Sequence, residues 1–283
     1  MKSTDEKSGL LYIVATPIGN LEDITLRAMR ILQEVDLIAA EDTRHTRKLL
    51  NACEIATPLI SLHEHNEREK SSVIIAKIKS GMSVAYVTDA GTPCISDPGY
   101  LLVRAARAQN IRVVPVPGVS AVAAALSVAG FPADNFIFCG FLPAKENKRR
   151  KFLENLKGEE NTIVFYESPA RYRTALQDIY NVLGDREIVV ARELTKIFEE
   201  IKDGKVSSFL ADGLQGKVKG EFTIIIQRKE KEIASISDGE IETELLQLRK
   251  NNKMSVRDAV GEIVRRRGLP KKRVYDLAVK LRL

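Results

Sequence analysis

Cysteine is scarce in this chain of 283 residues: Cys53, Cys94 and Cys139 stand far apart, and no two form a CxxC pair. An odd, dispersed set supplies neither a disulfide framework nor the ligands of a structural zinc site. Histidine is equally rare, with only His45, His63 and His65. His63-x-His65 has no second cluster to complete a coordination sphere, so no metal is expected. No apolar run approaches the roughly 20 residues that span a bilayer, and no membrane partner is expected. Residues 1–8 are polar and mixed in charge and lack the apolar core of a secretory signal, which suggests the frayed end of a cytosolic chain. Neither G-x-G-x-x-G nor G-x-x-x-x-G-K-[ST] occurs, so the usual dinucleotide and P-loop fingerprints are missing. Internal repeats and low-complexity tracts are also absent.

What is present is ordinary in amount and uneven in placement. A hydrophobic content of 44% over this length is ample for a packed core and suggests two modest domains. The formal net charge is +6, yet residues 249–283 alone hold twelve Lys/Arg and three Asp/Glu, leaving −3 for the rest. A basic end on a mildly acidic body suits a polyanionic partner such as nucleic acid, or else a solvated helical tail.

Apolar periodicity divides the chain further. Residues 11–15, 37–40, 58–62, 84–88 and 111–116 read as strands. Helical spacing appears in 24–35, 43–53, 73–80, 100–109 and 119–128. Strands alternating with helices predict an α/β fold with a mostly parallel first sheet. Residues 131–134 look like a linker. A second, mixed sheet is expected from 136–140, 162–166, 187–192, 196–201 and 221–227, with helices near 146–156, 170–182 and 205–211. The domains expected are 9–118, 119–229 and a basic helical module at 236–283, joined by the polar stretch 228–237. In that module Ile241, Leu245 and Leu248 make one stripe. Ser255 with Asp258 resembles a capping box, and Gly268 with Pro270 ends the helix. A helix-turn-helix or any small helical bundle fits this pattern.

Three Pro/Gly loops follow strands of the first sheet, at the edge where open α/β sheets bind ligands. They are Thr16-Pro-Ile-Gly-Asn20, Val87-Thr-Asp-Ala-Gly-Thr-Pro-Cys-Ile-Ser-Asp-Pro-Gly99 and Pro117-Gly-Val-Ser-Ala121. Gly91 allows close backbone approach. Asp89 and Asp97 would repel a pyrophosphate but suit a ligand with hydroxyls and positive charge, such as S-adenosylmethionine. Ser120 opens a helix, where it either caps or binds a carboxylate. Arg192-Glu-Leu-Thr-Lys196 mixes cations with an acid, and Lys196, then Glu193, are the candidates for a base or for orienting a hydroxyl. The competing reading is a structural ion-pair group. In Glu41-Asp-Thr-Arg-His-Thr-Arg47, Asp42 or His45 suits proton transfer, and Arg44 and Arg47 suit phosphates. A capped helix start gives the same pattern. Lys145, Lys148, Arg149, Arg150 and Lys151 form a basic run, and Arg265-Arg-Arg267 and Lys271-Lys-Arg273 form two more.

The three loops, with Ala40-Glu-Asp-Thr-Arg-His-Thr46, Phe165-Tyr-Glu-Ser-Pro169, Ala191-Arg-Glu-Leu-Thr-Lys196 and Gly220-Glu-Phe-Thr223, resemble the ribosomal RNA small-subunit methyltransferase I family. The likeness runs in order from about residue 10 to 228. It implies a two-domain tetrapyrrole-methylase fold, a homodimer, and S-adenosyl-L-methionine in the cleft between the domains. The implied reaction is methyl transfer to the ribose 2′-hydroxyl of a cytidine in the decoding region of 16S rRNA, free or in the small ribosomal subunit. The implied cofactor residues are Pro17, Asp89, Gly91, Ile95, Ser120, Ala121, Tyr166, Leu194 and Phe222. Lys196, Glu193 and Asp42 are the catalytic candidates. Arg44, Arg47, Lys145, Arg149, Arg150, Arg265, Arg266 and Lys272 are the candidates for RNA. Two strings depart from the family pattern: Asp89-Ala-Gly-Thr-Pro stands where the superfamily usually has Gly-Gly-Asp-Pro, and Ala170 stands where a histidine usually precedes Arg171. A corrin or porphyrin-precursor methylase of the same fold, and a non-catalytic RNA-binding assembly factor, are the alternatives.

Overall fold

A computed structural model describes residues 9–211, 220–229, 237–252, 254–267 and 269–281. Residues 1–8, Gly268, residue 236 and most of the 228–237 stretch lie outside the described residues, and so do the expectations placed on them. The chain divides into two compact units, Met1–Arg228 and Lys229–Leu283.

The first unit holds two five-stranded sheets. The first contains β1 (Leu11–Val14), β2 (Leu37–Ala40), β3 (Leu59–Ser61), β4 (Val84–Val87) and β5 (Val113–Val116), in the order β3-β2-β4-β1-β5. Every pairing in it is parallel. Every residue of β2 and β4 is buried, as expected of parallel strands covered on both faces. Pro115, which lacks a ladder donor, sits in the edge strand β5. Four helices belong to this part: α1 (Leu26–Glu34), α2 (Thr43–Ala52), α3 (Glu67–Lys79) and α4 (Tyr100–Ala108). Side chains cap α1 and α2, through Thr25 to the Ala28 amide and Asp42 to the Arg44 and His45 amides. One apolar cluster, with Leu62, Ile74, Ile78, Tyr86 and Leu102, and another, with Ala28, Ile31, Leu32, Ile38 and Val87, are the two cores of this part.

The second sheet contains β6 (Phe136–Phe141), β7 (Thr162–Glu167), β8 (Glu187–Arg192), β9 (Glu200–Lys205) and β10 (Phe222–Ile226), in the order β6-β7-β10-β8-β9. Only β6 pairs parallel; β10 runs antiparallel to β7 and β8, and β9 antiparallel to β8. The strand expected at 196–201 begins instead at Glu200. Glu193 and Thr195 take φ of 51° and 66°, so the chain turns through 193–199 before it can extend. The helices here are α5 (Ala121–Val128), α6 (Glu146–Asn155), α7 (Tyr172–Leu183) and α8 (Val206–Ala211). Helix α5 packs against β10. Its Val122, Ala125 and Leu126 share an apolar cluster with Ile18, Val164, Val189, Leu194 and Ile225. That cluster joins the loop after β1 to the second sheet and forms the floor on which the site is built.

The second unit has its own core. Helices α9 (Asp238–Asn252), α10 (Val256–Arg267) and α11 (Lys271–Lys280) each pack on the other two around Ile241, Leu245, Ile263, Val274 and Leu277. Ser255 Oγ accepts from the Asp258 amide at 3.2 Å and caps α10. Helix α10 ends at Arg267, ahead of Pro270, which also occupies the N-cap of α11.

Arg149 corrects the basic-run reading. It lies inside the second half of the first unit, 6% exposed, with Nη2 2.6 Å from Asp178. Helical spacing turns Arg149 inward with Leu153, and the other charges of α6 outward. An arginine held there does not reach an RNA phosphate. Its neighbour Arg150 is partly exposed but bonds both Glu146 and Asp178. Replacing Asp178 by Ala should therefore leave a buried guanidinium without its counterion and cost about 3–5 kcal/mol. Chemical denaturation of the wild type, Asp178→Ala and the double variant Arg149→Met/Asp178→Leu checks this, with the double variant recovering most of the loss.

Candidate active site

The three strand-end loops meet, and backbone pairing brings them together. Thr16 and Gly91 exchange both N–H···O bonds, each 2.9 Å, in an isolated bridge beyond the sheet. Thr16 Oγ1 also donates to the Thr88 carbonyl at 3.2 Å. Gly91 has φ +76°, a left-handed backbone that glycine adopts without strain. Thr92 Oγ1 reaches the Val119 carbonyl at 3.3 Å, tying in the loop after β5. The far end of the Asp89 loop is fixed by a residue that no motif singles out. Glu67, 7% exposed, accepts from the amides of Gly99 (2.9 Å) and Leu101 (2.7 Å) at the start of α4.

Two cavities open on this assembly. The first, of about 270 Å³, is lined by Asp89, Gly91, Ile95, Ser120, Ala121, Tyr166 and Phe222, all expected from the sequence. Asp97, paired with Asp89 in the sequence reading, lines it as well, while Glu41, Thr92, Phe141, Glu167 and Glu221 are walls to which the sequence assigned no ligand role. Glu167 and Glu221 lie inside strings already singled out, so the signal was present without a role attached. The second cavity, of about 430 Å³, is lined by Pro17, Gly19, His45, Thr46, Lys48, Leu49 and Lys196, among others. Ile18, Asp89, Ala90 and Glu221 line both. Leu194 lines neither and is buried in the apolar cluster beneath them.

Charge is concentrated in the first cavity. Burial, reinforced by the carboxylates of Glu41, Asp89 and Glu221, pushes Asp97 up to about 7. Burial, with Asp89 beside it, likewise raises Glu41. Glu167 is 1% exposed. Its Oε1 accepts from Arg171 and the Ser168 amide, while its Oε2 is buried without a partner among the described residues. Arg171 also donates to the Leu142 carbonyl, so it positions Glu167. Ser120 is the N-cap residue of α5, yet its hydroxyl makes no capping bond, which leaves it free to meet a ligand. The rings of Phe141 and Tyr166 lie 5.6 Å apart and form an aromatic wall.

The expected catalytic groups divide. Lys196 Nζ bonds Glu193 at 2.7 Å and Glu221 at 3.3 Å. Burial works against its charge, but the bond to Glu193 and the charge of Glu221 outweigh burial and raise its pKa. The neighbours are anions, not the cations that would make a lysine neutral, so Lys196 is an ammonium rather than a base. The bond from Lys196 lowers the pKa of Glu193 against the effect of burial. Asp42 is held down to about 2, first by its hydrogen bond from the Arg44 side chain. Capping α2 and pairing with Arg44, it is a weak base and lines neither cavity. Gly19 explains the close packing here, since a Cβ on it would lie 2.3 Å from Lys196 Cγ.

Of the cations expected at RNA, Arg44 is exposed and paired with Asp42, and Arg47 and Lys145 are exposed. In the second unit Lys272 is exposed, and Arg265 and Arg266 are exposed while both bond Glu262. Among the described residues no group of three or more His, Cys, Asp or Glu is placed to hold a metal. None of the described helices is long and apolar enough to cross a membrane.

Comparison with known proteins gives this geometry its context. Residues 10–210 match the family of tetrapyrrole (corrin/porphyrin) methylases. A ribosomal RNA small subunit methyltransferase I of Halalkalibacterium halodurans is 41% identical over 280 residues, covering 96% of this chain and 95% of that protein. The protein of the same name from Thermotoga maritima is 50% identical over 222 residues, 78% of this chain and 100% of its own length. Among solved structures, a uroporphyrin-III-C-methyltransferase from Thermus thermophilus superposes with a TM-score of 0.56 at 20% identity, over 77% of this chain and 94% of that one. The last likeness concerns the fold alone. By the family match and by these relatives, the chain belongs to the tetrapyrrole methylase family and, within it, to the ribosomal RNA small subunit methyltransferase I group.

Proposed function

We propose that this protein transfers a methyl group from S-adenosylmethionine to the ribose 2′-hydroxyl of a cytidine in 16S rRNA. The observation that carries the reading is the first cavity: acidic, apolar on one side, and furnished with a buried carboxylate oxygen that lacks a partner among the described residues. That donor set fits a ligand with a sulfonium, an ammonium and sugar hydroxyls, and would repel a pyrophosphate. Relatives named for methylation of small-subunit ribosomal RNA supply the acceptor class.

Glu167 Oε2 would accept a hydrogen bond from the ligand, with Arg171 holding the carboxylate in place. Phe141 and Tyr166 would cover an aromatic base, and the Ser120 hydroxyl a carboxylate or ribose oxygen. When bound, the group supplies a methyl already activated by the positive charge on sulfur. The remaining work of the chain is alignment, exclusion of water and removal of one proton. Lys196, held at Glu221 beside the shared wall, would stabilise charge developing on the acceptor oxygen. Asp97 lines the first cavity alone, so its carboxylate would face the ligand's positive charge rather than the acceptor hydroxyl. A homodimer and a cytoplasmic location belong to the same reading. The exposed Leu26, Ile197 and Phe198 are the kind of surface a partner copy would cover.

The direct test is transfer of labelled methyl to 16S rRNA by the purified protein, with a ribose-methylation map of cells lacking it. Asp89→Ala and Ser120→Tyr should each weaken S-adenosylmethionine binding about tenfold or more, a loss of about 1.4 kcal/mol, with melting little changed. Calorimetry showing dinucleotide binding in place of S-adenosylmethionine would refute the assignment.

Cofactor binding should also respond to pH. A cationic ligand needs Asp97 ionised, so affinity should rise with pH up to about 7 and then level off. Asp97→Asn should remove that dependence. A carboxyl whose folded pKa exceeds its unfolded value loses stability as pH rises, here between 3.8 and about 7. Discounted for solvent screening, Asp97→Asn should therefore stabilise the ligand-free protein at pH 8 by about 1–2 kcal/mol. Titration calorimetry across pH and thermal melting check both signs.

Deleting residues 236–283 should weaken RNA binding and leave cofactor affinity nearly unchanged. The Thermotoga maritima relative is matched over its whole length by 78% of this chain. For single-stranded RNA, every phosphate interaction that the deletion removes should flatten the log–log salt dependence by about 0.7. Affinities at several salt concentrations test this, and equal slopes would mean that the first unit alone grips RNA.

A further inference from the structure

Resting on that function, we infer that the second cavity receives the acceptor nucleotide, with His45, Thr46 and Lys48 of α2 as its recognition residues. Three observations converge. The first is position: Ile18, Asp89, Ala90 and Glu221 line both cavities, so a ligand in each meets the other at one wall. Methyl transfer requires donor and acceptor atoms roughly 3–3.5 Å apart, which only adjoining chambers permit.

The second observation is charge. The ionisable side chains around the first cavity, Glu41, Asp89, Asp97, Glu167 and Glu221, are, apart from the Tyr166 phenol, all acidic carboxyls. A nucleotide phosphate would be repelled there. The second cavity adds His45, Lys48 and Lys196. His45 and Lys48 stand three residues apart on α2, one above the other on one helix face, with Leu49 as the apolar neighbour. The second cavity still carries Asp89 and Glu221 on the shared wall, but Lys48 and Lys196 balance them, so the first cavity suits a cation and only the second offers cations to a phosphate.

The third observation is an unmet hydrogen bond. Thr46 is 2% exposed and lines the second cavity, and its Oγ1 has no partner among the described residues. A buried hydroxyl left unbonded is costly, and it can both donate and accept. Sugar hydroxyls and the edge of a pyrimidine offer either role.

The experiment compares wild type, Thr46→Val and Lys48→Ala in three measurements. These are methyl transfer to 16S rRNA, anisotropy of a short labelled cytidine-containing oligonucleotide without cofactor, and S-adenosylmethionine affinity. Thr46→Val keeps shape and removes only an unbonded hydroxyl, so it should melt no lower than wild type. Both variants should lose about tenfold or more in kcat/KM for RNA and bind the oligonucleotide more weakly, with cofactor affinity kept within about twofold. Wild-type methylation and oligonucleotide binding in both variants would overturn the inference while leaving the function intact. A wild type inactive on RNA would overturn the function instead, and the oligonucleotide measurement then decides the cavity by itself. Displacement of the oligonucleotide by uroporphyrin, with equal loss of both ligands in Lys48→Ala, would assign the cavity to a polyacid macrocycle and also overturn the inference.

Discussion

The reciprocal pair of backbone bonds between Thr16 and Gly91 is the constraint on which the site depends. Strands β1 and β4 are adjacent and parallel, so their C-terminal loops leave the sheet side by side. The extra bridge keeps those loops paired past the sheet edge. It sets Ile18 and Ala90 as the partition between the two cavities and leaves Asp89 facing both. Gly91 suits the bridge because the backbone there is left-handed, with φ +76°.

From that partition the electrostatics follow. Burial raises the pKa of Asp97 and of Glu41, and the carboxylates gathered around the same small cavity add to it. Such an arrangement is unfavourable in the empty protein and becomes favourable when a cation enters. At the partition Glu221 anchors Lys196, whose charge Glu193 and Glu221 share. Two acidic residues, Asp89 and Glu221, thus belong to both electrostatic environments and link them.

Much of the architecture is legible in the sequence because its signals are local. Alternating apolar runs and helical spacing point to the parallel sheet, and Gly/Pro loops at strand ends mark the ligand edge. The missed strand start has a specific cause, since nothing in Glu193 or Thr195 announces a positive φ. The same limit applies to side chains. Arg149 reads as one more cation in a basic run, and only the packing of α6 on α7 brings it to Asp178. Lys196 reads either as a base or as part of an ion pair with Glu193 three residues before it; its second partner, Glu221, is 25 residues away and invisible in the string. Glu67 and Thr46 have no motif that assigns them a role; their importance arises from what the fold sets opposite them.

Glu67 also bears on how the walls of the first cavity are held. Its carboxylate fastens the end of the Asp89–Gly99 loop to the first turn of α4, while Glu67 itself begins α3. Helices α3 and α4 pack on each other over an apolar core that includes Ile74, Ile78 and Leu102. The end of the loop is therefore tied to a packed helix pair. On the opposite wall Phe141 is exposed at the end of an edge strand. The cavity thus has one wall fastened to a packed helix pair and another that ends at a bare sheet edge.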